Sequence, residues 1–261
     1  MRIDVAATLT LSSPAPATAL LQVAVAAPRS ELLTVLTDGR PAEVAEIEVD
    51  GARVHRFEVS PGTTTVGYSA TVEGARAPRE VTAADWATAL RPSRYCPSDQ
   101  LEGFAHTEFD ATMPRAALVA AVADWVYRRL RYVGGASRPV DTAVDTLLLG
   151  QGVCRDYAHL TITLLRALEV PARLVAAYAP GLDPMDFHAV VEADIDGVWC
   201  AVDATRLAPT SSLVRICHGR DAADTAFLTL LGGVALFEGM TVTATVDGSL
   251  PVADDTPFPV P

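Results

Sequence analysis

Three side chains of this sequence, Cys154, His188 and Asp203, have the types and the order along the chain that nucleophilic catalysis needs. A thiol becomes an effective nucleophile where its thiolate is stabilised, and a helix start offers unpaired N–H groups and the positive end of the helix dipole. An imidazole can accept the thiol proton, and a carboxylate can orient that imidazole. The same N–H groups can bind a substrate oxyanion. The set therefore suits acyl transfer from an amide or a closely related carbonyl.

The position of Cys154 must be fixed by a helix. Cys154 follows the segment 150–153, in which two glycines permit a tight chain entry, and it opens a helix predicted from about Cys154 to Leu168 that Pro171 ends. A free cysteine is by itself a modest signal, because cysteine is among the residue types most often buried as a small apolar side chain. The interpretation as a nucleophile therefore depends on its partners.

Those partners lie on a predicted β-hairpin. Strands Phe187–Ile195 and Val198–Thr205 are joined by Asp196-Gly197, a strong hairpin turn signal. Antiparallel pairing about that turn places His188 and Asp203 about one register step from direct opposition, which is close enough for a carboxylate to orient an imidazole.

Four neighbouring residues are candidates for supporting roles. Gln151 and Tyr95 are candidates for the second oxyanion donor, since an amide N–H₂ or a phenol can supply a hydrogen bond. His159 lies five positions after Cys154 and thus on another helix face, so we expect it to be buried and hydrogen-bonded. Asp156 is expected to complement the helix start.

No metal site and no cofactor are predicted. Cys96 and His106 are too far apart in sequence for a zinc ligand pair, and Cys217-His218 is a single adjacent pair. Four further carboxylates flank turns without the spacing of a calcium loop, and we expect solvated turn residues there: Asp183, Asp186, Asp194 and Asp196.

The fold expected around these residues is α+β in two modules. Residues 1–78 are predicted to form a β-sandwich-like N-terminal domain, because about six strand patterns follow one another without a helix. Among them, Glu43–Val49 and Arg53–Val59 are joined by the turn Asp50-Gly51. Residues 79–92, rich in Ala, Arg, Pro and Thr, are predicted to be a linker.

Residues 93–250 are expected to form the catalytic domain, with helices packed on an antiparallel sheet. A helix begins near Pro114 and carries an apolar stripe that includes Trp125, which is expected to lie in the core. A strand Ala172–Tyr178 precedes the hairpin, and Cys200 is expected to be buried. A Pro-rich acidic tail, residues 251–261, need not be ordered.

Composition limits the partners. The 20 basic residues are all Arg, and the net charge is −12, which argues against a nucleic-acid-binding surface. No secretory signal is visible, and the most apolar segment, Thr225–Phe237, is too short to span a bilayer. We therefore expect a cytoplasmic protein with reduced cysteines and no membrane partner. The oligomeric state is open.

Three separated motifs resemble the core of the transglutaminase-like superfamily. They are 152–160, which contains Cys154, then His188-Ala189, then Asp203-Ala204-Thr205, and the resemblance covers about residues 90–225. It implies a papain-like core in which Cys154 is the nucleophile, His188 its base and later acid, and Asp203 the orienting residue. The preceding β-rich region resembles that of bacterial members, many of which are regarded as protease-like.

Two positions depart from the family pattern. Many members have Trp after His-Ala, where this chain has Val190, and many have Asp-Pro-Thr, where this chain has Ala204. Both positions lie beside the three implied catalytic residues, so the departures concern the substrate more than the chemistry.

The implied function is a thioester-forming enzyme acting on a peptide, a protein or a small amide. Resolution by water would make it a cysteine peptidase or amidase, which is slightly favoured because nothing in the sequence indicates a selective amine site. Resolution by an amine would make it a transamidating acyltransferase, either a transglutaminase or an amide synthase. A non-catalytic binding protein that retains the fold is the remaining alternative.

Overall fold

Strands occupy most of the first 73 residues of the computed structural model, which describes residues 1–73, 78–252 and 257–259. β1 buries every second residue, as an amphipathic strand on a core must. Asp50 and Gly51 both have positive φ, 50° and 78°, which fits the tight turn predicted between the fifth and sixth strands. The strands are β1 (Arg2–Ser13), β2 (Ala17–Leu21), β3 (Ser30–Thr37), β4 (Arg40–Pro41), β5 (Val44–Val49), β6 (Ala52–Val59) and β7 (Gly62–Glu73).

The remainder of the described chain contains all five α-helices of the described residues, followed by a run of strands. None of its helices is long and apolar enough to cross a membrane. The elements are α1 (Ala83–Ala89), α2 (Glu102–Glu108), α3 (Arg115–Arg129), β8 (Arg131–Tyr132), α4 (Ala143–Leu149), β9 (Gln151–Gly152), α5 (Cys154–Ala167), β10 (Ala172–Tyr178), β11 (Phe187–Ile195), β12 (Val198–Val202), β13 (Val214–Gly219), β14 (Leu228–Leu231), β15 (Leu236–Val246) and β16 (Phe258–Pro259).

Two antiparallel sheets enclose one hydrophobic core and form the predicted sandwich. Their strand orders are β15-β1-β7-β3-β4 and β14-β2-β6-β5. Large side chains from both sheets, such as Leu9, Phe57 and Tyr68, are buried together. Together with the five helices of the remaining described chain, this sandwich confirms the expected α+β class.

The sandwich also contains strands from the far end of the chain. β15 pairs with β1 along most of its length, and β14 pairs with β2. The module boundaries stay predictions, but this pairing places residues 228–246 in the sandwich sheets and not on the sheet of the second module. The strand pattern of such a segment shows which face is buried, whereas the choice of partner strand depends on tertiary contacts.

The second module is an antiparallel sheet with helices on it. The sheet order is β13-β10-β11-β12-β16. Helix α5 packs on β10 and β11, and helices α3 and α4 pack against α5. Nearly every residue of α5 after Arg155 is buried. Trp125 is partly buried against this core, and its indole N–H donates to Glu108 at 3.2 Å. The expected packing of a helix across an antiparallel sheet is present.

The predicted linker and tail carry structure that the sequence patterns did not predict. α1 lies within the range 79–92, and its residue Ala89 packs against Trp199 of β12. β16, within the predicted tail, pairs with the outer edge of β12. Both segments have a weak hydrophobic periodicity, because only a few residues of each pack against or pair with another element.

The two modules share hydrogen bonds and apolar contacts. The hydroxyl of Tyr178 on β10 donates to the Val23 carbonyl at 2.9 Å, and the Ala26 N–H donates to the Arg215 carbonyl at 3.0 Å. Tyr178, Ile216 and Cys217 are buried in the sandwich core. The sheet of the second module is therefore held from one side by the sandwich.

Candidate active site

The start of α5 is built by the short segment that precedes it. α4 ends at Gly150, whose φ of 69° is in the left-handed region, and β9 then pairs in parallel with β8. Val153 is extended, and Cys154 is the first helical residue. A Cβ on Gly152 would lie 2.6 Å from the Cβ of Asp156, so this position accepts only glycine without a shift of its neighbours.

Asp156 fixes the helix start from inside the protein. Its fully buried carboxylate accepts the Val153 N–H at 2.8 Å and the hydroxyl of Ser137. The Arg155 guanidinium pairs with the same carboxylate at 2.8 Å and donates to the Arg138 carbonyl at 3.0 Å. Asp156 therefore complements the helix start, as expected, and also links it to the loop before α4.

The hairpin of β11 and β12 brings His188 and Asp203 together. The ladder ends with Val191 opposite Val202, so Asp203 directly follows the last paired residue of β12. The Nε2 atom of His188 lies 2.7 Å from the Oδ2 atom of Asp203, and both side chains are almost completely buried. Thr205 donates its N–H at 2.9 Å and its hydroxyl at 2.7 Å to the other carboxylate oxygen. The carboxylate is thus held in one orientation.

The second ring nitrogen of His188 is not used by Asp203. Nδ1 is buried and has no hydrogen-bond partner in the described part of the chain, and the Cys154 thiol interacts electrostatically with the imidazole. Cys154 itself is partly exposed, whereas Cys96, Cys200 and Cys217 are buried. The structure therefore brings Cys154, His188 and Asp203 together and leaves the thiol accessible.

Electrostatics favours the charged form of this histidine. Burial lowers the pKa of His188, but the charge and hydrogen bond of Asp203, with a contribution from Cys154, outweigh burial and raise this pKa to about 10. Burial raises the pKa of Asp203, but His188 and Thr205 reverse that effect, and the net pKa is lowered. At neutral pH the pair is thus a carboxylate and an imidazolium, which can stabilise a thiolate.

Tyr132 is a further site residue, which the sequence patterns did not indicate. It pairs with Gly152 across β8 and β9, two positions before Cys154. Burial and the Cys154 thiol raise the pKa of Tyr132 to about 12, and its phenol oxygen lies within hydrogen-bonding reach of the Cys154 N–H. The sequence feature that could have indicated Tyr132 is an aromatic residue shortly after the end of α3 at Arg129. The strand pairing that brings it to Cys154 depends on the tertiary fold.

The two oxyanion candidates from the sequence have other contacts in the structure. The Gln151 side-chain oxygen accepts from the Arg131 guanidinium at 3.3 Å. The Tyr95 ring stacks on His159, with ring centres 5.2 Å apart and planes inclined by 7°. Neither side chain forms a hydrogen bond with Cys154 among the described residues.

His159 is buried on another face of α5. Its Nε2 atom accepts the Ala222 N–H at 3.1 Å, and burial lowers its pKa to about 4. A neutral His159 supports the loop around Ala222 and Tyr95. It does not belong to the Cys154 cluster.

One of the turn carboxylates differs from the expectation. Asp194 accepts the Gly197 N–H at 2.8 Å within the hairpin turn, but the prediction of a solvated side chain is wrong for it, because it is buried, 6% exposed, and lies near Arg115. No group of His, Cys, Asp and Glu residues that could hold a metal ion occurs in residues 1–73, 78–252 and 257–259. The two departures from the family pattern, Val190 and Ala204, are both buried apolar side chains, 1% and 4% exposed.

Comparisons with known proteins identify one superfamily and several similar structures. The model of the transglutaminase-like superfamily matches residues 105–204. A solved structure of a candidate cysteine protease from Cytophaga hutchinsonii is 33% identical with a TM-score of 0.86, and the match covers 99% of this chain and 96% of that one. The periplasmic domain of TgpA from Pseudomonas aeruginosa is 20% identical, covering 75% and 91% of the two chains, with a TM-score of 0.41.

A further relative is an uncharacterized protein of Mycobacterium leprae, 33% identical over 121 residues. This match spans 43% of the present chain and 43% of the mycobacterial protein. The similarity to the Cytophaga protein, by contrast, includes the sandwich as well as the helical module. On this evidence the chain belongs to the transglutaminase-like superfamily.

Proposed function

We propose that the protein is a cysteine-dependent acyl-transfer enzyme that hydrolyses an amide or peptide bond. The observation that carries this proposal is the buried Asp203–His188 pair, whose imidazole interacts with the partly exposed Cys154 thiol and has one ring nitrogen without a partner in the described part of the chain. A structural cysteine would need neither an oriented imidazole nor access from solvent.

The reaction proceeds in two steps. The Cys154 thiolate attacks the carbonyl carbon, and the electron pair of the C=O bond moves to oxygen. The intermediate collapses, the C–N bond breaks, and His188 gives its proton to the departing amine, which leaves a thioester. His188 then takes a proton from water as the water attacks the thioester, and collapse releases the carboxylic acid and the Cys154 thiolate, with the proton retained on His188.

Two donors are available for the oxyanion in both steps. The Cys154 N–H lies at the start of α5, and the Tyr132 phenol lies beside it. A substrate oxygen that displaces the phenol oxygen from the Cys154 N–H would receive one hydrogen bond from each donor, in a site partly shielded from water. Tyr132 thus takes the role for which Gln151 and Tyr95 were candidates.

Hydrolysis is favoured by the Cytophaga relative, which is described as a candidate protease and shares the whole fold. Transamidation is the second candidate function, because the superfamily takes its name from that reaction. The two differ only in whether water or an amine resolves the thioester. The net charge of −12 is consistent with a peptide, protein or small amide as substrate and not with a nucleic acid.

The test is to trap the acyl-enzyme. The full chain is incubated with peptide amides, peptide esters and acyl thioesters, and its intact mass is measured with and without an added primary amine. We expect an acyl adduct that is absent from Cys154→Ala, and release of the free acid in the absence of amine. Iodoacetamide should also label Cys154 faster at neutral pH than it labels free cysteine. Normal reactivity together with no adduct from any donor would overturn the proposal and favour a binding protein.

A further inference from the structure

A cavity of about 460 Å³ lies between the two modules. Its walls come from β1 and β7 of the sandwich and from β10, β11, β12 and β13 of the second sheet. The sheet residues that line it, such as Val175 and Val190, alternate with Leu174 and Val191, which belong to the core around α5. The cavity therefore lies on the face of the sheet away from α5. A cavity of this size at a boundary between modules is typical of a small-molecule site.

Apolar side chains form most of the cavity wall. Ala26, Pro78 and Phe258 also line the cavity and are exposed, so it communicates with the protein surface. Such a wall favours a ligand with an apolar body, because apolar surface is stabilised when it leaves water. The apolar lining includes Ile3, Val25, Val175, Ala177, Val190 and Leu213.

Two charged side chains, Glu192 and Arg215, occur among the described lining residues. Both oxygens of Glu192 are engaged, since Oε1 accepts from Arg215 and Oε2 accepts from the Nε of Arg173 at 2.7 Å. The Nε of Arg215, by contrast, is buried and has no acceptor in the described part of the chain, which is unfavourable for a donor. The Arg215 side chain stays 19% exposed, so a ligand can reach it. The guanidinium, and not the carboxylate, therefore has hydrogen-bonding capacity left for a ligand.

The ion pairs around Arg215 leave one positive charge in excess. Arg173 pairs with Glu192 at 2.5 Å and with Asp85 at 3.4 Å. Arg79 lies 3.7 Å from Asp85, and Arg215 shares Glu192. Three arginines thus share two carboxylates, and no further carboxylate of the described residues pairs with them. In these largely apolar surroundings the excess charge attracts an anion more strongly than it would in water.

We propose that the cavity is a second ligand site, which binds a monocarboxylate with an apolar chain. The carboxylate pairs with the Arg215 guanidinium, whose planar fork matches two carboxylate oxygens. The chain lies along Val175, Val190 and Leu213. A single negative charge balances the excess of one, whereas a phosphate group would bring roughly two. The site uses none of the three candidate catalytic residues and is therefore independent of the proposed function.

Substitutions separate the charge of this site from its space. Arg215→Gln removes the charge, while Glu192 keeps its pair with Arg173. Arg215→Lys keeps the charge but lacks the planar fork. Ala26→Trp places a large ring at an exposed lining position. Ala45→Trp, on the exposed strand β5 and not in the cavity wall, is the matched control. Circular dichroism and urea unfolding check that each variant is folded.

Isothermal titration calorimetry measures the binding of octanoate, octanol and octylammonium to the full chain, since these probes share one chain and differ in the charge of its end. We expect one octanoate per chain, with an affinity about tenfold above that of octanol, and the weakest binding for octylammonium. Arg215→Gln should remove the advantage of octanoate over octanol, and Arg215→Lys should keep part of it.

Ala26→Trp should weaken the binding of both octanoate and octanol, whereas Ala45→Trp should bind them as the wild type does. Equal affinities of the wild type for the three probes would overturn the choice of an anion. Octanoate binding that Ala26→Trp leaves unchanged would overturn the cavity as the site. Both results are readable without the Arg215 variants, should these fail to fold.

A photoreactive carboxylate then locates the chain. An octanoate analogue with a diazirine near its apolar end is irradiated with the protein, the diazirine loses N₂, and the carbene inserts into a neighbouring C–H bond. We expect label in the tryptic peptide 207–215, which carries Leu213 and Arg215, in the wild type and in Cys154→Ala alike. Label confined to peptide 132–155, which carries Cys154, or octanoate binding that is lost in Cys154→Ala, would place the ligand in the candidate active site. That result would overturn this inference and leave the proposed function standing.

Discussion

At the scale of single residues, the site combines a buried charged pair with an accessible thiol. The His188 side chain is completely buried, so its charge depends on Asp203 and not on water. Two charges in this environment interact more strongly than they would at the surface. The pair should therefore govern both reactivity and part of the stability.

Removal of the Asp203 charge should lower both the reactivity of the site and the stability of the protein. In Asp203→Asn the pKa of His188 should fall well below 10, because burial lowers this pKa and the Asp203 charge that raises it is then absent. Asp203→Ala should reduce kcat/KM on the order of 10³–10⁴-fold. NMR titration of the histidine ring protons and steady-state kinetics measure these effects. Asp196→Asn, at a turn position with φ 54°, is the control and should leave both unchanged.

The stability difference between wild type and Asp203→Asn should depend on pH. The raised pKa of His188 contributes stability that is complete below its ordinary value of 6.5 and is lost as pH rises through about 10. The lowered pKa of Asp203 contributes stability that is present above 3.8 and is lost as pH falls through its value in the folded protein. Urea unfolding should thus show the largest difference between about pH 4 and 6.5. A difference that grows towards pH 10 would contradict this account.

Tyr132→Phe should lower kcat on the order of 10²-fold with little change in KM, because a donor to the oxyanion acts mainly in the transition state. The measurement is steady-state kinetics with the donor that gives the best acyl adduct. Tyr127→Phe removes a phenol from an exposed ring on α3 and should have no effect. Equal losses in the two variants would exclude a specific role for Tyr132.

At the scale of elements, β10, β11 and β13 are joined by a buried ionic cluster. Glu192 on β11, which is 1% exposed, pairs with Arg173 on β10 at 2.5 Å and also with Arg215 on β13. Burial raises the pKa of Glu192, but the two arginines outweigh burial and lower it. Arg173 also lies over the Trp199 ring at 3.9 Å. This cluster fixes the strand that carries His188.

Loss of the Glu192 charge should be strongly destabilising. Glu192→Gln leaves the buried Arg173 without its main counter-charge, and we expect a decrease of about 3–5 kcal/mol in the free energy of unfolding. Urea denaturation measures it. Glu58→Gln, which removes a carboxylate from an exposed pair with Arg56, is the control and should be close to wild type. A similar small effect for both would show that the cluster is not needed for stability.

At the scale of the whole molecule, the sandwich is closed by strands from both ends of the chain. β1 lies between β7 and β15, and β2 lies between β6 and β14. The same sandwich core accepts Tyr178 and Ile216 from the second module. The two modules therefore depend on each other more than a linear division of the chain suggests.

A chain that stops after Phe227 should not fold cooperatively, because it exposes the edges of β1 and β2 and the core side chains under β15. Circular dichroism during heating and limited proteolysis are the measurements. A chain that stops after Ser249 keeps both strands, loses the short β16 pairing, and should unfold cooperatively. Cooperative unfolding of the shorter chain would contradict the shared-core description.

The sequence alone predicted the features that depend on local pattern. The helix that starts at Cys154, the hairpin turn at Asp196-Gly197 and the alternation in β1 are each set within about a dozen residues. The hairpin register brought His188 and Asp203 together without any knowledge of the rest of the fold. Three residues far apart in sequence could therefore be named in advance as one candidate cluster.

Features that need contacts between distant segments were decided by the tertiary structure. The parallel pair of β8 and β9 brings Tyr132 to Cys154, whereas Gln151 and Tyr95 contact other partners. The return of β14 and β15 to the sandwich likewise depends on which sheet edge is free. Local pattern fixes which face of an element is buried, but only packing of the complete chain decides what covers that face.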